Sequence, residues 1–77
     1  MSWNYRIVYD TIVRKYTLCE VYYENEIPRG YTSCFDPEAD DDCTHAEAIS
    51  EIKDQIEHMK SACDKPILYF PGDFKSD

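Results

Sequence analysis

Residues 44–63, THAEAISEIKDQIEHMKSAC, decide how this chain folds. Thr44 followed three residues later by Glu47 has the form of a capping box, in which each side chain satisfies an orphan amide at a helix start. From there Ile49, Ile52, Ile56, Met59 and Cys63 recur at spacings of three and four, one stripe at about 100° per residue. The pattern predicts a helix from His45 to Cys63, roughly 28 Å long at 1.5 Å per residue, with its apolar stripe laid on a sheet. Asp64 and Lys65 lead to Pro66, which ends the helix. On this reading, replacing Ile52 or Ile56 with alanine costs roughly 2 to 5 kcal/mol.

The sheet is legible on both sides of that helix. Residues 3–10, WNYRIVYD, alternate Trp3, Tyr5, Ile7 and Tyr9 against Asn4, Arg6, Val8 and Asp10, the two-residue period of a strand with one covered face. After a polar turn at 11–15, residues 16–23, YTLCEVYY, are aromatic and β-branched and pair back as a second strand. ENEIPRG breaks it, because Pro28 lacks a ladder donor and Gly30 admits turn conformations. YTSCF, residues 31–35, forms a third strand, and PILYF after the helix a short one at an edge. The expected fold is α+β: a small antiparallel β-sheet, three strands plus a short fourth, covered on one face by a single α-helix, in the order β-β-β-α-β. Residues 1–70 form the one domain that 77 residues allow, and 71–77 a flexible C-terminal tail.

Charge narrows the function. Sixteen acidic and eight basic residues give a net charge of −8. That argues against holding nucleic acid by its phosphates, which takes Lys and Arg to displace counterions. No run reaches the roughly 18 apolar residues of a membrane span. The expectation is a soluble cytoplasmic protein with no membrane and no nucleic-acid partner. Cys19, Cys34, Cys43 and Cys63 show no C-x-x-C pair, so they read as small buried hydrophobes and not as disulfides or a zinc site.

Three short motifs suggest a relationship. Trp3-Asn4-Tyr5-Arg6, Glu20-Val21-Tyr22-Tyr23 and Lys65-Pro66-Ile67-Leu68 resemble a family of small uncharacterised bacterial proteins. The resemblance implies a compact β-β-β-α-β domain of bacterial or phage origin, laid out similarly to small antitoxin domains that look like pared-down RNase H folds. It implies no activity, since fold does not carry function.

The charge imbalance sits in one place. Between Asp36 and Glu57 lie nine acidic residues and one basic, Lys53, while the seven acidic and seven basic residues elsewhere cancel. Asp36, Glu38, Asp40, Asp41 and Asp42 crowd the loop before the helix; Glu47, Glu51 and Asp54 continue on the helix face opposite the isoleucines. Their i,i+4 and i,i+3 spacings repel, where a helix selected for stability alone would carry lysines. The expected function is a small non-enzymatic binding protein that presents these eight carboxylates to a basic protein partner, as an inhibitor or nucleic-acid mimic would. Seven tyrosines supply candidate anchors, and Tyr22 and Tyr23 must point to opposite faces, so at least one lies on the outer sheet surface unless the chain forms a homodimer.

Two alternatives stand beside that reading. Counted from Asp36, acids fall at positions 1, 3, 5 and 7, with Thr44 at 9 and Glu47 at 12, the ligand spacing of an EF-hand calcium loop. Asp36, Glu38, Asp40, Asp42 and Glu47 would be the ligands of a weak site. Against it, Asp41 stands where the loop needs glycine, and Glu47 cannot be both ligand and cap. The other alternative is an antitoxin-like structural domain in which the acids are a solvated face. No cofactor is expected. Catalysis is not expected either: nucleophile-elbow, zincin and phosphate-loop motifs are missing, His45 falls in the apolar stripe as part of the core edge, and His58 lies on the outer face.

Overall fold

A computed structural model describes residues 1–34 and 36–75. The alternating segment forms β1 (Ser2–Asp10), which pairs antiparallel with β2 (Lys15–Glu24), Trp3 opposite Tyr22 and Tyr9 opposite Tyr16. Asp10 closes the turn between them: its Oδ1 accepts from the amides of Ile12 and Val13 at 2.8 and 3.1 Å, while Arg14 takes a left-handed φ of 59°. Asn25 and Glu26 then adopt φ of 54° and 65°, the two positive values of the tight hairpin turn whose twist suits strands, and β3 (Ile27–Ser33) returns antiparallel to β2. The third strand therefore starts four residues earlier than expected and runs through Pro28, which an edge strand tolerates. Phe35, the expected last residue of that strand, lies outside the described residues.

The helix α1 (His45–Lys60) continues as a 3-10 turn over Ser61–Asp64, and β4 (Leu68–Phe70) completes the chain order expected. The sheet is mixed, not antiparallel. Its order is β3-β2-β1-β4, and β4 pairs parallel with β1, Val8 beside Leu68 and Asp10 beside Phe70. The crossover through α1 dictates this, because it returns the chain to the far side of β1 in the direction of β3.

The buried face is that of Val8. Val8, Cys19 and Val21 are the buried cluster, and Tyr23, Tyr31, Leu68, Phe70 and Phe74 pack on it. Residues 71–75, expected outside the domain, supply Phe74, whose ring lies 5.3 Å from Tyr31 and 5.6 Å from Phe70; the Lys75 amide donates to Pro28 O at 2.9 Å. The alternate residues Trp3, Tyr5, Ile7 and Tyr9 share the outer face with Tyr16, Leu18 and Tyr22. Burial thus follows the side with small side chains and not the side with most apolar ones. Arg6 and Asp10 share the core face with partners close by: Arg6 donates through its two terminal nitrogens to Tyr23 Oη at 3.0 Å and to Pro66 O, its buried Nε remaining without a partner, and Asp10 accepts from Tyr31 Oη at 3.1 Å.

The helix covers the sheet only shallowly, its end at His58 lying beside Trp3 and Tyr5, and not by the stripe the sequence predicts. None of its residues is buried, and Ile49 and Ile56 are 68% and 50% exposed. Ala62 of the 3-10 turn is fully buried, and this turn makes the closer packing on β1. The half-buried side of α1 is Ala48, Ile52, Gln55 and Met59, turned about 50° from the centre of the apolar stripe. The molecule is accordingly elongated, 44 × 26 × 20 Å, with a radius of gyration of 14.5 Å. A rounded domain of this length has about 11.5 Å.

Candidate acidic surface

The capping box is formed as the sequence predicts. Thr44 Oγ1 accepts from the Glu47 amide at 3.2 Å, and Glu47 Oε1 accepts from the Thr44 amide at 3.0 Å. The Thr44 amide holds the Glu47 carboxyl below its ordinary range, so the side chain is a committed cap. That places the first acid of the helix, and Glu51 and Asp54 follow on the same exposed side, rising roughly 6 and 4.5 Å along the axis.

The loop is fixed to the helix by Gln55. The Glu38 amide donates to Gln55 Oε1 at 3.0 Å, and Gln55 Nε2 donates to Glu38 O at 2.7 Å. A second tie runs through Cys43, whose thiol donates to Asp40 O at 2.9 Å and approaches Glu51 Oε2 at 4.0 Å. The loop is therefore tied to α1 at Gln55 and beside Glu51. All eight residues named from the sequence, Asp36, Glu38, Asp40, Asp41, Asp42, Glu47, Glu51 and Asp54, are exposed. Gln55 is the residue that sequence reasoning misses; its only signal is an amide on the edge of an otherwise apolar stripe.

The calcium arrangement is not assembled. Glu47 is engaged as a cap, and among the described residues no three His, Cys, Asp or Glu side chains gather as metal ligands. His45, expected at the core edge, is exposed, as is His58. Of the thiols, Cys19 is buried and its pKa is pushed up to about 11 by that burial, Cys34 and Cys43 are half-buried, and Cys63 is exposed. A thiol so raised is a poor nucleophile.

The three motifs quoted for the family resemblance meet in one place. Arg6 of the first bonds the hydroxyl of Tyr23 in the second and the carbonyl of Pro66 in the third, so the motifs describe one clamp between β1, β2 and the link to β4. No described helix is long and apolar enough to cross a membrane. Compared with protein-family models, curated proteins and solved structures, the chain matches none.

Proposed function

We propose that this chain is a small binding protein, without catalysis of its own, that offers the loop Asp36–Asp42 together with Glu47, Glu51 and Asp54 to a basic protein partner. The observation that supports this reading is the pair of hydrogen bonds between the Glu38 main chain and Gln55, which ties the acidic loop to the helix that carries the other acids. A loop tethered in this way is ordered before it meets a partner, which lowers the entropy lost on binding. The helix carboxylates rise at steps of the same order as charges along a DNA strand, so the ridge suits a protein groove built for phosphates. Charge of this density speeds encounter more than it adds affinity.

The test is charge reversal at Glu51→Lys with Asp54→Lys, read as binding to nucleic-acid-binding proteins with basic grooves. Loss of binding with unchanged far-UV circular dichroism is expected. Binding that survives the double reversal makes the acids a solvated face and refutes the proposal.

A further inference from the structure

Two polar atoms on the core face of β1 are buried and lack a partner among the described residues, Asn4 Oδ1 and Arg6 Nε. Buried groups of this kind are rare enough that each asks for an explanation. Asn4 and Arg6 are two residues apart on one strand, so their side chains leave it on the same side, and their ladder partners on β2 are the fully buried Val21 and Cys19. Both residues line one hollow of about 260 Å³, together with Ser2, Tyr23 and Glu26. It lies where the core face runs out, at the end of the sheet that carries the β2–β3 turn. Glu26 belongs to that turn and is exposed.

Arg6 spends its two terminal nitrogens on Tyr23 Oη and Pro66 O, both uncharged, and among the described residues no carboxylate pairs with it. In a chain of net charge −8 this guanidinium is a place where an anion can be received. The same two bonds hold it still, so little further ordering is lost when a ligand arrives.

We propose that this hollow binds a free α-amino acid, with the carboxylate received by Arg6 and the ammonium by Asn4 Oδ1 and Glu26. The two orphan atoms ask for opposite things: Arg6 Nε is a donor on a cation and calls for an anionic acceptor, while Asn4 Oδ1 is an acceptor and calls for a donor. A simple anion leaves Asn4 unserved and meets Glu26 as a like charge. A simple cation leaves Arg6 unserved. An α-amino acid carries both groups on one carbon, and so answers both atoms at once. At about 260 Å³ the hollow falls just below the roughly 300 Å³ at which pockets for drug-sized ligands begin, so its occupant is small. None of the lining residues belongs to the acidic surface, so this proposal and the partner-binding proposal fail independently.

NMR titration of the reduced full chain with glycine, then with the other standard amino acids in turn, tests the site. The readout is the Arg6 Nε–H signal and the Asn4 side-chain amide, with acetate and methylammonium as half-ligands. At least one amino acid should shift both signals saturably, and each half-ligand should bind about tenfold more weakly, since it serves one end only. Glu26→Gln should weaken the amino acid about tenfold and leave acetate unchanged. Asn4→Ala should weaken it too, with unchanged circular dichroism; if that variant fails to fold, Glu26→Gln decides alone. No saturable shift with any amino acid up to tens of millimolar overturns the proposal and leaves the two atoms to water. Acetate binding as tightly as the amino acid, or binding indifferent to Glu26→Gln, also overturns it, since the hollow then takes carboxylates alone.

Discussion

Gln55 grips the peptide groups of Glu38 from both sides, accepting from its amide at 3.0 Å and donating to its carbonyl at 2.7 Å. The two residues are 17 apart in sequence, and the contact turns a charged loop into an extension of a helix face. Gln55→Ala should free the loop. Because both bonds are solvent-exposed, global stability should fall by at most about 1 kcal/mol. Amide exchange at residues 36–42 should accelerate strongly while exchange within α1 stays nearly unchanged. Unaltered exchange in the loop would show that the clamp does not order it.

Packing predicts the reverse of what hydrophobic periodicity predicts for the isoleucines. Val21 is fully buried, whereas Ile56 is 50% exposed. Val21→Ala should therefore cost roughly 1 to 3 kcal/mol, from lost methyl transfer plus a cavity. Ile56→Ala should cost less than about 1 kcal/mol, as surface substitutions do. Urea denaturation of dilute, monomeric protein ranks the two. A larger loss at Ile56 would return the helix to the sheet.

That contrast shows what could be read from the chain and what could not. The capping box at Thr44 and Glu47, the helix that follows and the first hairpin are local, so their residues announce them. The position of β4 beside β1 is set by a crossover and by a pairing of three residues, too short to leave a pattern. The core face of β1 was not legible by counting apolar residues, because Arg6 and Asp10 take partners on that face, Tyr23 and Pro66 for the one, turn amides and Tyr31 for the other. Small Val8, Cys19 and Val21 then leave room for the aromatic rings that close over them. Helical spacing gives the direction of the stripe, but nothing in it says what lies opposite. That the eight acids are exposed was legible; that Gln55 ties the Glu38 main chain to the helix was not.

Two carboxyls make the fold acid-sensitive. The amides of Val13 and Ile12 and the Tyr31 hydroxyl hold Asp10 below its ordinary value of 3.8, and the Thr44 amide holds Glu47 below its ordinary value of 4.5. For a depressed carboxyl, the stabilising contribution is full above the unfolded-state pKa and is lost as pH falls through the folded one. The turn after β1 and the start of α1 should loosen together below about pH 4. Tyr31→Phe should raise the Asp10 pKa toward 3.8, and Thr44→Ala, which keeps the amide but removes the side-chain hydroxyl that also lowers the Glu47 pKa, should raise it only part of the way toward 4.5 while costing about 1 kcal/mol of helix stability. Carboxyl-carbon NMR titration reads both values. Ordinary values in the wild type would contradict these bonds.

Arg6 joins β1 to β2 and to the segment before β4 through Tyr23 and Pro66. Arg6→Ala removes both donors and leaves the part-buried Tyr23 hydroxyl without this partner, at a cost of about 1 to 3 kcal/mol. Tyr23→Phe should cost less, since it removes one bond and keeps the ring in the core. Thermal denaturation of the two variants checks the order, and equal losses would reduce the clamp to ring packing alone.

If loop and helix acids act as a single surface, an amide-resolved NMR titration with a basic nucleic-acid-binding protein gives saturable shifts at residues 36–42 and at 47–54 that fit one dissociation constant and weaken together as salt rises. Shifts confined to the outer sheet face, or loop and helix titrating with unrelated constants, would contradict it.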